Sequence, residues 1–224
     1  MIRCYNGERH GTVNLKESLA HSCNGSFAHI GVGLNRRSFR RLCEQFGFNR
    51  SLDVDFASSK STFVLNQKSD VAEAAQTAIG QGKTTITPLQ NALISATIAN
   101  DGVMMTPYMV DHLESADGTI VEKYEPKRRK TVISQKRADQ ITKMMRSVVS
   151  DGTAASLRNL SYPVAGKTGT AEFDSEGTAH AWFVGFAPVS SPKIAVSVIV
   201  EGAGTGSQYA VPIASQLFQE YLRN

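Results

Sequence analysis

Apolar residues recur at helical intervals through most of the chain and at strand intervals near its end. Asn14, with Glu17 three residues on, has the form of a capping box and predicts a short helix through Ala20. From Ser26, Phe27, Ile30 and Leu34 keep helical spacing, and Phe39, Leu42, Cys43 and Phe46 repeat it until Gly47, which predicts two helices. Residues 49–69 carry scattered apolar anchors among polar residues and predict irregular connections. Asp70 and Glu73 open an alanine-rich helix, Val71 to Ala78, that stops at Gly80-Gln81-Gly82. Thr87-Pro88-Leu89-Gln90 is a further start signal, and apolar residues on nearly every side of the helix it opens predict a buried central element ending at Asn100-Asp101-Gly102. Two extended pieces, Tyr108 to Leu113 and Ile120 to Tyr124, flank an Asp117-Gly118 turn and predict a surface hairpin. Ser134 caps a helix whose stripe of Ile141, Met144, Met145, Val148 and Val149 ends at Asp151-Gly152.

Beyond that point the period changes to that of strands. Tyr162 to Ala165 leads into Gly166-Lys167-Thr168-Gly169-Thr170-Ala171-Glu172, a polar turn follows, and Ala181 to Pro188 then Lys193 to Glu201 complete an antiparallel meander before a helix from Tyr209 to Leu222. The chain therefore divides into residues 1–152, mainly helical, and 153–224, a sheet with a C-terminal helix, within a single α+β domain.

At 224 residues the chain can bury a full core. The formal charge of +4 is modest and no aromatic residues interleave with the basic ones, so nucleic-acid binding is not indicated. The runs Arg36-Arg37, Arg40-Arg41 and Lys127-Arg128-Arg129-Lys130 are read as solvated faces. Cys4, Cys23 and Cys43 are odd in number and lack metal-ligand spacing, so neither a disulfide framework nor a zinc site follows from them, and no metal or organic cofactor is implied. Met1 to Thr12 reads as a loop, and the sequence holds neither a signal peptide nor an apolar run long enough to span a bilayer. The Gly80-Gln81-Gly82 pair lacks phosphate-loop spacing. His21 and His29 are read as structural.

The candidate chemistry lies at Lys167 and its neighbours. On a strand, Lys167 and Gly169 share one face while Thr168 and Thr170 share the other, and a missing Cβ at Gly169 lets a substrate backbone lie close. Upstream, Ser22-Cys23-Asn24 falls on an interhelical turn. Ser-x-Asn followed far downstream by Lys-Thr-Gly-Thr resembles the penicillin-binding transpeptidases. Ile79 to Gln90 and Ala99 to Met104 are also similar to the larger, membrane-anchored members.

The resemblance implies an α/β sandwich of the β-lactamase/transpeptidase type: an antiparallel sheet flanked by helices, with an all-helical subdomain. It implies acyl transfer through a serine that attacks a D-alanyl-D-alanine stem peptide or a β-lactam antibiotic. Ser22 would shuttle a proton to the leaving group, Asn24 would bind the substrate amide, and Lys167 would supply positive charge. Thr168 and Thr170 would hold the substrate carboxylate beside Gly169, and the Thr170 N–H would form half of the oxyanion hole. Its members sit on the extracytoplasmic face of the bacterial cell membrane, held by an N-terminal anchor, and work with a glycan-polymerising partner.

The family's Ser-x-x-Lys motif belongs upstream of Ser-x-Asn, and nothing from Met1 to His21 fits it. Ser190-Ser191-Pro192-Lys193 has the spacing but falls between two strands, with a proline that forbids the required helix. The expectation is a C-terminal part of a transpeptidase domain, cut between its first two motifs, incomplete at its N-terminus, with an unpaired edge on its last strand and unable to be acylated alone. A carboxypeptidase or β-lactamase of the same fold, and a non-catalytic peptidoglycan- or β-lactam-binding protein, remain open beside it.

Overall fold

In the computed structural model, which describes residues 2–52, 54–173 and 178–223, the α-helices are α1 (Leu15–Ala20), α2 (Asn24–Gly33), α3 (Arg36–Gln45), α4 (Val71–Ala78), α5 (Pro88–Ala99), α6 (Gln135–Ser150) and α7 (Gly206–Tyr221). Four of them begin at a side-chain cap, whereas Ser134, expected to cap α6, makes no capping hydrogen bond. The capping box at α1 is formed in both directions: the Glu17 N–H donates to Asn14 Oδ1 at 3.0 Å and the Asn14 N–H donates to Glu17 Oε2 at 2.9 Å. Asp70 accepts from the Glu73 N–H at 2.7 Å, and Thr87 from the Gln90 N–H at 3.1 Å. Each such side chain satisfies an N–H that the helix leaves unpaired.

The strands are β1 (Val103–Thr106), β2 (His112–Glu114), β3 (Ile120–Lys123), β4 (Lys127–Thr131), β5 (Ala165–Glu172), β6 (Ala179–Ala187) and β7 (Ile194–Val200). The last three form an antiparallel sheet in the order β5-β6-β7, with Lys167 opposite Val184 and Thr168 opposite Phe183. The polar turn expected between β5 and β6 falls on residues 174–177, outside the described residues, as does Met1.

Both faces of this sheet are covered. On one, Val164, Phe183 and Val198 pack with Val148 and Val149 of α6 and with Val211 and Phe218 of α7, and Phe183 meets Phe218 edge-on at 6.3 Å. Burying a side chain of the size of Phe218, here fully enclosed, contributes about 1.5–3 kcal/mol. On the other face Ala165, Phe186 and Met145 meet Leu19, Ile98 and Ile141. A separate core of Phe48, Phe63, Leu65 and Ala74 holds the helical part.

Three expectations are revised. In α5 the fully buried residues are Gln90, Ser95 and Thr97, while the apolar ones are half-buried. Thr97 donates back to the Leu93 carbonyl and Gln90 donates to the Phe46 carbonyl, so backbone partners accommodate these two, while the buried Ser95 hydroxyl has no hydrogen-bond partner among the described residues. The basic run from Lys127, exposed as expected at Lys127 and Arg128, is half-buried at Arg129 and Lys130 and forms a strand, β4, paired with β1. The hairpin is shorter than its apolar pattern, and Tyr108 to Asp111 stays outside it. The outer edge of β7 has no strand partner among the described residues. Residues 190–193 lie between β6 and β7 and are not helical.

Candidate active site at the edge of strand β5

β5 is an edge strand, and its alternation divides the motif. Lys167 lies on the face of Ala165, towards Leu19 of α1, while Thr168 shares the opposite face with Phe183. From there the Lys167 ammonium donates to Ser22 Oγ at 2.9 Å and to the carbonyl of Thr168 at 2.7 Å. These two motifs, 145 residues apart in sequence, meet directly.

Ser22 makes this contact from a strained backbone. Its φ of 54° places it in the left-handed region, at a cost of about 1–2 kcal/mol for a residue with a Cβ. The turn is closed by the Ser22 N–H to the Leu19 carbonyl and the Cys23 N–H to the Ser18 carbonyl, after which α2 begins at Asn24. The α1 end is fixed to the turn after α6 by the Thr153 N–H donating to the Ala20 carbonyl. Gly152 makes that approach possible, because a Cβ there would lie 2.1 Å from the Ala20 oxygen.

Burial lowers the Lys167 ammonium from 10.5 to about 8. No carboxylate pairs with it among the described residues. At neutral pH roughly nine in ten such groups are protonated, so the site carries a poorly solvated positive charge with a reachable neutral state.

The backbone edge is equally specific. Thr168 accepts from Lys167 and Thr170 accepts from Gln81 Nε2 at 3.2 Å, so both carbonyls point away from β6. In a strand the N–H of a residue points to the same edge as its carbonyl, which directs the Thr168 and Thr170 N–H groups to the open side. That side borders a cleft of about 920 Å³, lined by Ser22, Asn24, Gln81 and residues 167–170, together with Arg3 and Cys4.

The predicted residues therefore converge, with three differences in detail. A Cβ at Gly169 would meet Trp182 Cβ at 3.1 Å, so this glycine relieves its cross-strand neighbour. The Thr168 hydroxyl is engaged with Thr153 Oγ1 at 2.6 Å. Asn24 also has a partner, since its Nδ2 donates to the Arg3 carbonyl at 3.0 Å. Sequence reasoning misses Thr153 and Gln81: the glycine pair flanking Gln81 reads as a helix stop, and no local pattern marks Thr153.

The penicillin binding protein transpeptidase domain family matches residues 1–219. The chain is 33% identical over 227 residues to the peptidoglycan D,D-transpeptidase PbpA of Mycolicibacterium smegmatis, covering 95% of this chain and 44% of that protein. It is 31% identical over 233 residues to stage V sporulation protein D of Bacillus subtilis, covering 99% and 36% respectively. The D,D-transpeptidase domain of a peptidoglycan glycosyltransferase from Eggerthella lenta superposes with a TM-score of 0.86 at 29% identity, covering 96% of this chain and 55% of that one. Penicillin-binding protein A of Mycobacterium tuberculosis, solved as a penicillin G acyl-enzyme, gives 0.82 at 29% identity, covering 95% and 51%. The chain thus spans less than half the length of these curated relatives.

Proposed function

This chain belongs to the penicillin-binding protein transpeptidase family, and we propose that it forms the substrate-binding wall of a peptidoglycan D,D-transpeptidase. The contact between Lys167 Nζ and Ser22 Oγ carries this reading, because it joins a cation to a hydroxyl at the rim of an open strand edge. A stem peptide ending in D-alanyl-D-alanine, or a β-lactam, would add to β5 as an extra strand. The Thr170 N–H would donate to the developing oxyanion, a contribution typically worth about 3 kcal/mol. Ser22, hydrogen-bonded to Lys167, would pass a proton to the departing amine. Lys167 would supply positive charge. The Thr170 hydroxyl and that of Thr168, on exchanging its Thr153 partner, would hold the substrate carboxylate, and Asn24 would take the substrate amide on exchanging its Arg3 partner. Gly169 keeps β5 flat against β6 between these groups.

On this reading the acylated serine belongs to a Ser-x-x-Lys motif, and no such motif precedes Ser22 within the 224 residues. By the same reading the working site faces outward from the cytoplasmic membrane and operates with a glycan polymerase. The test is labelling by a fluorescent penicillin, of this chain alone and of a chimera carrying the preceding half of the M. smegmatis relative's transpeptidase domain. The chain alone should form no covalent adduct, and the chimera should form one that Lys167→Ala reduces severely. Equal labelling of both chimeras, or an adduct on the chain alone, would refute the assignment. The missing motif also supports a non-catalytic, β-lactam-binding protein, for which calorimetry would find reversible penicillin binding by the chain itself.

A further inference from the structure

Beside the cleft, which Cys4 lines, Cys4, His10 and Cys23 place one ligand atom each within 4.8 Å of one another. The two sulfurs are 3.9 Å apart. A disulfide needs about 2.05 Å. Two thiolates on a tetrahedral metal, each bond about 2.3 Å, lie about 3.8 Å apart, which is close to the spacing found. We propose that Cys4, Cys23 and His10 form a binding site for a thiophilic divalent cation of the zinc class, its fourth position completed from the cleft.

The surroundings of these ligands fit that assignment. His10 has Nε2 3.5 Å from a Glu8 carboxylate oxygen, while its Nδ1 is buried and has no hydrogen-bond partner. A carboxylate on one ring nitrogen with the other nitrogen free is how metal-binding histidines are oriented. For tetrahedral coordination the sulfur–nitrogen edges measure about 3.6 Å, so the ring must close by no more than about 1.2 Å, within reach of a side-chain rotation. Ser26 Oγ donates to Cys23 Sγ at 3.3 Å, as an outer-shell donor to a thiolate would. The third cysteine, Cys43, lies apart, and burial pushes its thiol up to about 12, so it stays protonated and serves as an internal reference.

On binding, each thiol loses its proton to solvent and forms a sulfur–metal bond; no electron is transferred. The ion would fasten the opening segment to the start of α2. That segment includes Arg3, whose carbonyl holds Asn24, so metal would fix the amide that faces the cleft.

The experiment uses the reduced 224-residue chain under anaerobic conditions, with Zn²⁺ or Co²⁺ alone as probe. One equivalent of Co²⁺ should give thiolate-to-metal charge transfer and the intense visible bands of tetrahedral coordination. Zn²⁺ should shield two thiols from an alkylating reagent and release two protons. Cys4→Ser and Cys23→Ser should abolish the signal, Cys43→Ser should keep it, and Glu8→Gln should weaken affinity by about 10–100-fold. Circular dichroism checks that each variant folds, and the shielding measurement on the unaltered chain needs no variant. Unchanged alkylation of Cys4 and Cys23 in excess Zn²⁺ would overturn the proposal. So would isolation as a Cys4–Cys23 disulfide that takes up no metal once reduced.

Discussion

Replacing Lys167 by methionine tests the electrostatics of the cleft directly, because it keeps a long flexible stem and deletes the charge. Burial lowers the Lys167 ammonium from 10.5 to about 8. At roughly 1.4 kcal/mol per pH unit, that gap disfavours the folded protein by up to about 3 kcal/mol wherever the group is charged in both states. The sign follows from proton binding. Below pH 8 both folded and unfolded chains hold the proton, and the penalty is complete. Between about 8 and 10.5 the unfolded chain holds it more tightly, so wild-type stability rises with pH. Above 10.5 both forms are neutral and the penalty is gone. The Lys167→Met variant carries none of this. Against it stand the hydrogen bonds to Ser22 and to the Thr168 carbonyl, which the variant loses at every pH and which set a constant offset. Urea unfolding of both proteins from about pH 7 to about pH 10.5 should show wild type gaining on the variant by as much as about 3 kcal/mol, with the gain confined to the upper part of that range. Taking the difference removes the titration of all other groups. A difference that stays flat would mean that the ammonium is fully hydrated in the folded state, and the description of a poorly solvated cation would fail.

Gly152→Ala should lower stability by about 1–3 kcal/mol, read by thermal or urea unfolding, because the new methyl meets the Ala20 carbonyl at 2.1 Å and must push α1 away from α6. The same variant should weaken any penicillin adduct in the chimera, since Ser22 travels with α1. Thr168→Val leaves the Thr153 hydroxyl without its 2.6 Å partner and should cost about 1–3 kcal/mol, whereas the double variant with Thr153→Val should recover part of that loss in a double-mutant cycle. Asn14→Ala removes one half of the α1 capping box and should cost about 1 kcal/mol; an unchanged urea midpoint would show that α1 is held by packing alone.

Much of this architecture is legible in short stretches of sequence, for a local reason. Caps such as Asn14, Asp70 and Thr87 act on N–H groups three residues away, and the alternation through Lys167 to Thr170 is a property of any extended chain. Helix and strand positions, the Ser-x-Asn turn and the Lys-Thr-Gly-Thr strand can therefore be read, and with them the family. What sits opposite what cannot. The strand pattern alone turns Gly169 towards a substrate, whereas strand pairing sets it against Trp182. Gln90, Ser95 and Thr97 carry no mark of burial, because the neighbours that enclose them come from elsewhere in the fold. Thr153 and Gln81 reach β5 only once α6 and the loop after α4 have docked beside it. Cys4, His10 and Cys23 have no recognisable ligand spacing, since residues 4–10 meet the start of α2 only by folding back over it. Sequence by itself determined the elements, their motifs and the family. Tertiary packing alone decided the lowered Lys167, the open edge of β5 and the thiol-imidazole group, because burial and proximity arise between segments distant in the chain.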